Sequence, residues 1–178
     1  MATLEHGGEA RTGVRVEIRG TGQATVGTGL PVLDHLVARL AEYAGFDLSL
    51  EVAPGDAERE VVAAGRALGA ALSAPLRAEG ARGHGSAAVP AEEAMAHVAL
   101  DASERPLVVS NVDFSEHRVG GLATDLVARF LEAFADGANL NLHVRLIEGR
   151  DTQHVLEAIF KALGVALAQA CGPRAGRG

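Results

Sequence analysis

Three short segments of this chain recur in the same order, which is the feature that most restricts its fold. A single match of four residues means little in an alanine-rich chain, but three matches at similar offsets indicate an internal duplication. The matching pairs are 36–39 with 126–129 (Leu-Val-Ala-Arg in both), 46–50 with 140–144, and 66–69 with 161–164.

The Gly-rich stretch 80–85 lies where the two copies meet. We therefore expect one domain over 1–178 that contains two repeats, at about 9–82 and 83–171, and a flexible tail at 172–178.

Hydrophobic periodicity assigns similar elements to both repeats. Period-2 alternation predicts strands at 14–18, 23–26 (a return strand), 46–52, 94–100, 107–112 and 140–146. A helical apolar stripe predicts helices at 33–43, 58–76, 124–135 and 154–171. Each repeat then has strands, a helix, a strand and a helix, so we predict an α/β fold in which two sheet-plus-helix layers pack together.

Composition excludes several classes of protein. The net charge of −7 argues against a nucleic-acid-binding module, which needs a basic face. One cysteine, Cys171, excludes a disulfide framework and a multi-cysteine zinc site, and favours a reducing cytoplasm. The sequence has no signal-peptide pattern and no apolar run of about 18 residues, so we predict no membrane association.

A few polar residues have the context of a functional site. His154 and Glu157 are three apart on one predicted helix, so both could reach one cation such as manganese, iron or zinc. The alternative is a solvated helix N-terminus, where Glu157 interacts with the helix dipole. Arg105, in a Ser-Glu-Arg-Pro turn, could bind a phosphate or form a surface ion pair. Asp151 or Thr152 can cap the last helix, whose free N–H groups could bind an anion.

Several motifs together resemble imidazoleglycerol-phosphate dehydratase, a lyase of histidine biosynthesis. They span about 9–171 in the family's order. The motifs are Thr-Gly-Leu-Pro-Val-Leu-Asp-His at 28–35, Ala-Leu-Asp-Ala-Ser-Glu-Arg-Pro at 99–106, Arg-Val-Gly-Gly at 118–121, Leu-His-Val at 142–144, and Gly-Arg at 149–150 followed by His154, Glu157 and Phe-Lys-Ala-Leu at 160–163.

The resemblance implies a fold and an activity. The fold is α/β in two layers, with duplicated half-domains that each contain a mostly antiparallel four-stranded sheet and two helices, a ribosomal protein S5 domain 2-like fold. The activity is the manganese-dependent dehydration of imidazoleglycerol phosphate to imidazoleacetol phosphate, in which the metals act as Lewis acids. Family members form symmetric homo-oligomers, commonly of about 24 subunits, with two-manganese active sites between subunits.

The family's functional positions carry over onto named residues. His35, His143, His154 and Glu157 match metal ligands. Arg105 and Lys161 match substrate-binding positions, and His35 is expected to contact substrate as well. Glu157 and Glu9 are the expected catalytic residues, although Glu9 rests on a loose match to an N-terminal glutamate.

The chain also departs from the family. Glu58, Arg59 and Val62 stand where the first His-His-x-x-Glu motif should be, and Gln153 replaces the first histidine of the second motif. Gly83 stands at an arginine position, with Arg82 one place away, and a C-terminal serine-and-lysine segment is absent after Cys171.

The family uses about eight metal ligands per chain, and half of them are retained here. Loss of even a residue that hydrogen-bonds to a metal ligand typically lowers metal affinity or activity ~10–100-fold. We therefore expect an impaired or inactive homo-oligomer. Two alternatives stay open: an active manganese-dependent dehydratase with an altered metal site, and a non-catalytic subunit that assembles with an intact dehydratase.

Overall fold

The computed structural model describes residues 11–115 and 117–175 of the chain. Its first half contains β1 (Gly13–Glu17), β2 (Ala24–Gly27), α1 (Pro31–Ala44), β3 (Asp47–Glu51) and α2 (Ala57–Leu76). Its second half contains β4 (His84–Ala91), β5 (Ala94–Ala102), β6 (Leu107–Ser110), β7 (Arg118–Val119), β8 (Leu122–Ala123), α3 (Thr124–Ala138), β9 (Leu140–Glu148) and α4 (Thr152–Cys171).

The two main sheets repeat one connection. In the first sheet, of order β1-β3-β2, β3 is antiparallel to β1 and parallel to β2, and α1 crosses between β2 and β3. In the second, of order β4-β5-β9-β6, β9 is antiparallel to β5 and parallel to β6, with α3 as the crossover. The series β1-β2-α1-β3-α2 thus returns as β5-β6-α3-β9-α4, and the three repeated segments fall on α1 and α3, β3 and β9, and α2 and α4.

Some expectations needed correction. The α/β class with four helices is confirmed, and the second sheet has four strands, but the first sheet has only three among the described residues. The expected return strand at 23–26 does not pair with β1, because both strands flank β3 instead. Strand β4 begins at His84, within the stretch expected to be a plain link.

The helices join the two halves, because α1 packs on α4 and α2 packs on α3. Glycines allow the helix backbones to touch. A Cβ on Gly69 would lie 2.3 Å from the carbonyl oxygen of Phe134, and one on Gly164 would lie 2.3 Å from that of Leu40. The two glycines are equivalent in the repeat, so the same close helix contact occurs twice, each time between a helix of one half and a helix of the other.

Helix α4 supplies much of the shared core. Most of its apolar side chains are buried, and the ring of Phe160 packs against Phe130 of α3 with centroids 5.6 Å apart. Among the described residues, α4 is the one helix long and apolar enough to cross a membrane, but 61% of its apolar window is buried inside the fold. Its hydrophobicity is therefore that of a core helix.

Candidate functional site

The N-terminal parts of α1 and α4 bring two of the predicted metal ligands together. His35 Nε2 lies 2.6 Å from Glu157 Oε1, although the residues are 122 positions apart in the chain. Glu157 is largely buried, whereas His35 is about half exposed, with 17% and 45% of their side chains accessible. The hydrogen bond to His35 lowers the pKa of Glu157, with further contributions from the charges of Lys161 and Arg39.

Asp34 fixes the start of α1 next to this pair. Its carboxylate accepts hydrogen bonds from the backbone N–H of Thr28, at 2.8 Å, and from the buried Thr28 hydroxyl. Pro31 opens the helix, as its fixed φ allows. The hairpin of β7 and β8 packs against the same helix start, because Gly120 lacks a Cβ that would lie 2.6 Å from Val32. These contacts hold the backbone that carries His35.

Two basic side chains, Arg39 and Lys161, act on Glu157 through their positive charges. Arg39 Nε lies 3.9 Å from Glu157 Oε1, while Arg39 Nη1 donates to Glu42 at 2.6 Å. The ammonium group of Lys161 lies 5.2 Å from the centroid of the Tyr43 ring. The carboxylate is thus surrounded by basic groups of its own chain.

His154 has a different hydrogen-bond partner from Glu157, and the expectation that both reach one cation stays a prediction. Its Nδ1 lies 2.6 Å from Glu93 Oε2 in the β4–β5 turn. Hydrogen bonding to Glu93 raises the pKa of His154, and the pKa of Glu93 is lowered to about 2, chiefly by the backbone N–H of Asp151 and by His154. Asp151 caps α4, as expected, by accepting from the backbone N–H of His154.

Two further predicted site residues, His143 and Arg105, lie on the second sheet, away from the His35–Glu157 pair. His143 is exposed on β9, between the buried Leu142 and Val144, so it faces away from the helices and has Val109 as its cross-strand neighbour. Arg105 lies in the β5–β6 turn, where its backbone N–H donates to Ser103 Oγ. Glu9 lies outside the described residues.

A basic cavity lies at the end of the second sheet that also holds the Arg105 turn. Arg82, His84 and Arg174 line this space of about 620 Å³. Ala102 donates to Gly83 there, which places the start of β4 beside the end of β5. Arg82 stands one residue from an arginine position of the family, whereas no motif in the sequence points to Arg174 or His84.

The opposite end of β9 leads to the Gly149–Asp151 loop and His154. The first and last of its nine residues are eight steps apart, and at about 3.4 Å per step the two ends are about 27 Å apart. The basic cavity and the α4 N-terminus of one chain are therefore too far apart to hold one small substrate between them.

Two residues that stand where the family has its first His-His-x-x-Glu motif form ion pairs in this structure. Glu58 Oε1 lies 3.9 Å from Arg129 Nη2 on α3, and Arg59 Nε lies 3.8 Å from Asp56. Asp56 also caps α2. Arg129 and Arg39 are equivalent in the repeat, so in each half an arginine lies near a glutamate of the other half.

The described residues of one chain do not fit a metal ion. His35 and Glu157 converge, but no group of three or more His, Cys, Asp or Glu side chains in 11–115 and 117–175 could hold one. The positive charge of the Arg39 guanidinium near Glu157 also disfavours a metal cation at this carboxylate.

Comparison with known proteins decides the family. A family model described as imidazoleglycerol-phosphate dehydratase matches residues 28–167. The chain belongs to the imidazoleglycerol-phosphate dehydratase family. The dehydratase of Desulforudis audaxviator is 40% identical over 96% of this chain and 89% of its own length, and that of Syntrophobacter fumaroxidans is 43% identical over 86% and 80%.

Solved imidazoleglycerol-phosphate dehydratases confirm the fold. The Staphylococcus aureus enzyme superposes with a TM-score of 0.83 at 29% identity, covering 92% of this chain and 94% of that one. The Pyrococcus furiosus enzyme, solved in complex with (S)-C348, gives 0.80 at 29% identity, covering 92% and 91%. Membership places the chain in a histidine-biosynthesis dehydratase family with a substrate-binding enzyme fold.

Proposed function

We propose that this chain is an imidazoleglycerol-phosphate dehydratase homologue whose homo-oligomer has little or no dehydratase activity. The observation that supports this most is at the lost first motif, where Glu58 pairs with Arg129 and Val62 replaces a carboxylate. A homo-oligomer can complete its sites only with the residues of the same sequence. The available donors are then His35, His143, His154 and Glu157, about half of what a two-metal site in this family uses.

The retained residues suggest which functions survive. His35 and Glu157 remain paired, and Arg105 lies at the same sheet end as the cavity of Arg82 and Arg174. Guanidinium groups bind phosphates bidentately and a lysine ammonium binds them as a point charge. We therefore assign substrate phosphate binding to Arg105 and Lys161 and expect the basic cavity to contribute. Since this end is about 27 Å from the end of β9 that leads to His154, we expect a complete site to require a second subunit.

The experiment is turnover of imidazoleglycerol phosphate by the purified chain with added manganese, together with its metal content by elemental analysis. We expect negligible formation of imidazoleacetol phosphate and far less than one manganese per chain. Near two metals per chain, with turnover, would contradict the proposal and favour the active dehydratase.

A matched variant tests whether the missing first motif is the cause of the expected weak manganese binding. The triple substitution Glu58→His, Arg59→His and Val62→Glu rebuilds the motif at the N-terminus of α2. We expect this variant to gain manganese binding relative to the unmodified chain. A control with Glu58→Gln, Arg59→Gln and Val62→Gln removes the same charges without adding histidines, and no gain is expected from it. Equal metal binding by the two variants would show that the lost ligands are not the cause.

A second candidate function is a non-catalytic subunit of a mixed particle with an intact dehydratase. The retained fold and the separated site ends favour it, because a partner could complete a shared site. Co-expression with an intact dehydratase, followed by capture through a tag on this chain, tests it. Recovery of a mixed, active particle supports this role. Two separate homo-oligomers would exclude it. For either function we expect a cytoplasmic protein, in line with histidine biosynthesis.

A further inference from the structure

Glu93 holds three donors from the segment that leads into α4. Its Oε1 accepts hydrogen bonds from the backbone N–H of Asp151, at 2.8 Å, and of Arg150, at 3.3 Å. Its Oε2 lies 2.6 Å from His154 Nδ1. One carboxylate therefore ties the β9–α4 loop, the first turn of α4 and the β4–β5 turn together.

The local backbone explains why Glu93 can do this. The β4–β5 turn has only two residues between the strands, and Glu92 adopts a positive φ of 52°, as two-residue hairpin turns require. The strand register puts Met95 opposite Glu148, so the turn lies beside the loop that follows β9. Glu93 thereby accepts from backbone N–H groups just before α4, which the sequence alone predicts to be free to bind an external anion.

The contact has a chemical consequence for the ring of His154. A neutral imidazole has one N–H donor and one acceptor nitrogen, and the hydrogen bond made by one nitrogen sets the state of the other. A carboxylate only accepts, so Nδ1 must carry the hydrogen. Among the described residues no hydrogen bond reaches Nε2, and 34% of the side chain is exposed.

We propose that Glu93 is a positioning residue that holds His154 in the Nδ1–H form and leaves Nε2 as the only acceptor nitrogen of the ring. The lone pair of Nε2 is then available to a cation or a polar group of a ligand or a neighbouring subunit. The same arrangement, a carboxylate behind a histidine ligand, orients the ring and raises its basicity at metal sites. The inference rests on the proposed function only in taking His154 as a site residue.

The test is the tautomer of His154, measured by nitrogen-15 NMR of histidine side chains in the metal-free full chain at a pH where the ring is neutral. In the unmodified chain we expect the Nδ1–H form. In Glu93→Ala we expect loss of that preference and appearance of the Nε2–H form, which free imidazole side chains favour. Glu93→Gln, which keeps a hydrogen-bonding group of the same size, should retain part of the preference. The matched control is Glu92→Ala in the same turn, which should leave the tautomer unchanged.

The outcomes separate this inference from the proposed function. Nε2–H in the unmodified chain, or Nδ1–H in both Glu93 variants, would overturn the role of Glu93. If Glu93→Ala does not fold, the comparison of Glu93→Gln with Glu92→Ala decides it. An active, manganese-bound dehydratase in which Glu93 still sets the tautomer would contradict the proposed function but not this inference.

Discussion

His35 and Glu157 show why spacing in the sequence cannot find every contact in the site. The family motifs single out both residues, but their hydrogen bond joins α1 to α4 across 122 positions. The spacing of His154 and Glu157 had favoured a different pair. Glu93 has no signal in the sequence beyond its position just before the predicted strand at 94–100, since its importance comes from the neighbouring β9–α4 loop.

The His35–Glu157 pair predicts a pH-dependent contribution to stability. The folded pKa of Glu157 lies below its ordinary value of 4.5, so its ionised form stabilises the fold above that pH, and this stabilisation is lost as the pH falls through the lowered pKa. The free energy of unfolding of Glu157→Gln should therefore differ most from that of the unmodified chain above pH 4.5. The difference should shrink toward acid, as measured by urea unfolding across the pH range.

A double-mutant cycle of His35→Gln and Glu157→Gln isolates the pair. Because His35 is about half exposed, we expect a coupling free energy below about 1 kcal/mol. Additive single effects would show that the two side chains do not interact in solution.

At the scale of helices and strands, most of the fold could be predicted, because hydrophobic periodicity is a local signal. The four helices were predicted to within three residues at each end, and all the strands of the repeat were found. Strand β4 was missed because its first residues lie in a Gly-rich stretch typical of a link. The sequence predicts no strands for the hairpin of β7 and β8, since two-residue strands have no periodicity to detect.

The close helix contacts make Gly164 and Gly69 critical to packing. In the interior of a helix, alanine is ordinarily more favourable than glycine by about 1 kcal/mol. Here the added Cβ would lie 2.3 Å from a carbonyl oxygen of the facing helix, so the helices must move apart. We expect Gly164→Ala and Gly69→Ala to lower the free energy of unfolding by about 1–3 kcal/mol each, as overpacking does.

Urea unfolding of each variant measures this effect. Gly13→Ala is the control, because nothing lies within 4 Å of its added Cβ. A gain in stability for Gly164→Ala would mean that the helices are not in contact at this position.

For the molecule as a whole, the two sheets expose different outer faces. The first presents polar residues such as Arg15, Thr25 and Ser49. The second sheet and its edges expose large apolar side chains, among them Leu107, Val109 and Ile147, beside His143. Apolar patches of this kind often mark an interface. The expected homo-oligomer and its shared sites would cover this face.

Val109→Glu should therefore disrupt assembly without unfolding the chain, because Val109 is 43% exposed in the single chain. Sedimentation velocity should show a multi-subunit particle for the unmodified chain and smaller species for Val109→Glu. Thr25→Glu, on the exposed face of the first sheet, should leave the particle intact. A monomeric unmodified chain would contradict the requirement for a second subunit at the site.

The crossed pairing of the helices also bears on how such a chain could arise. The helices of each half lie on the sheet of their own half, but they pack against helices of the other half, α1 against α4 and α2 against α3. A half-length ancestor with this topology would have had to associate with a second copy of itself to bury its apolar surface. Gene fusion would then have converted an obligate ancestral homodimer into the present single polypeptide. After fusion the two copies would have been free to diverge, and only the three short repeated segments still show their common origin.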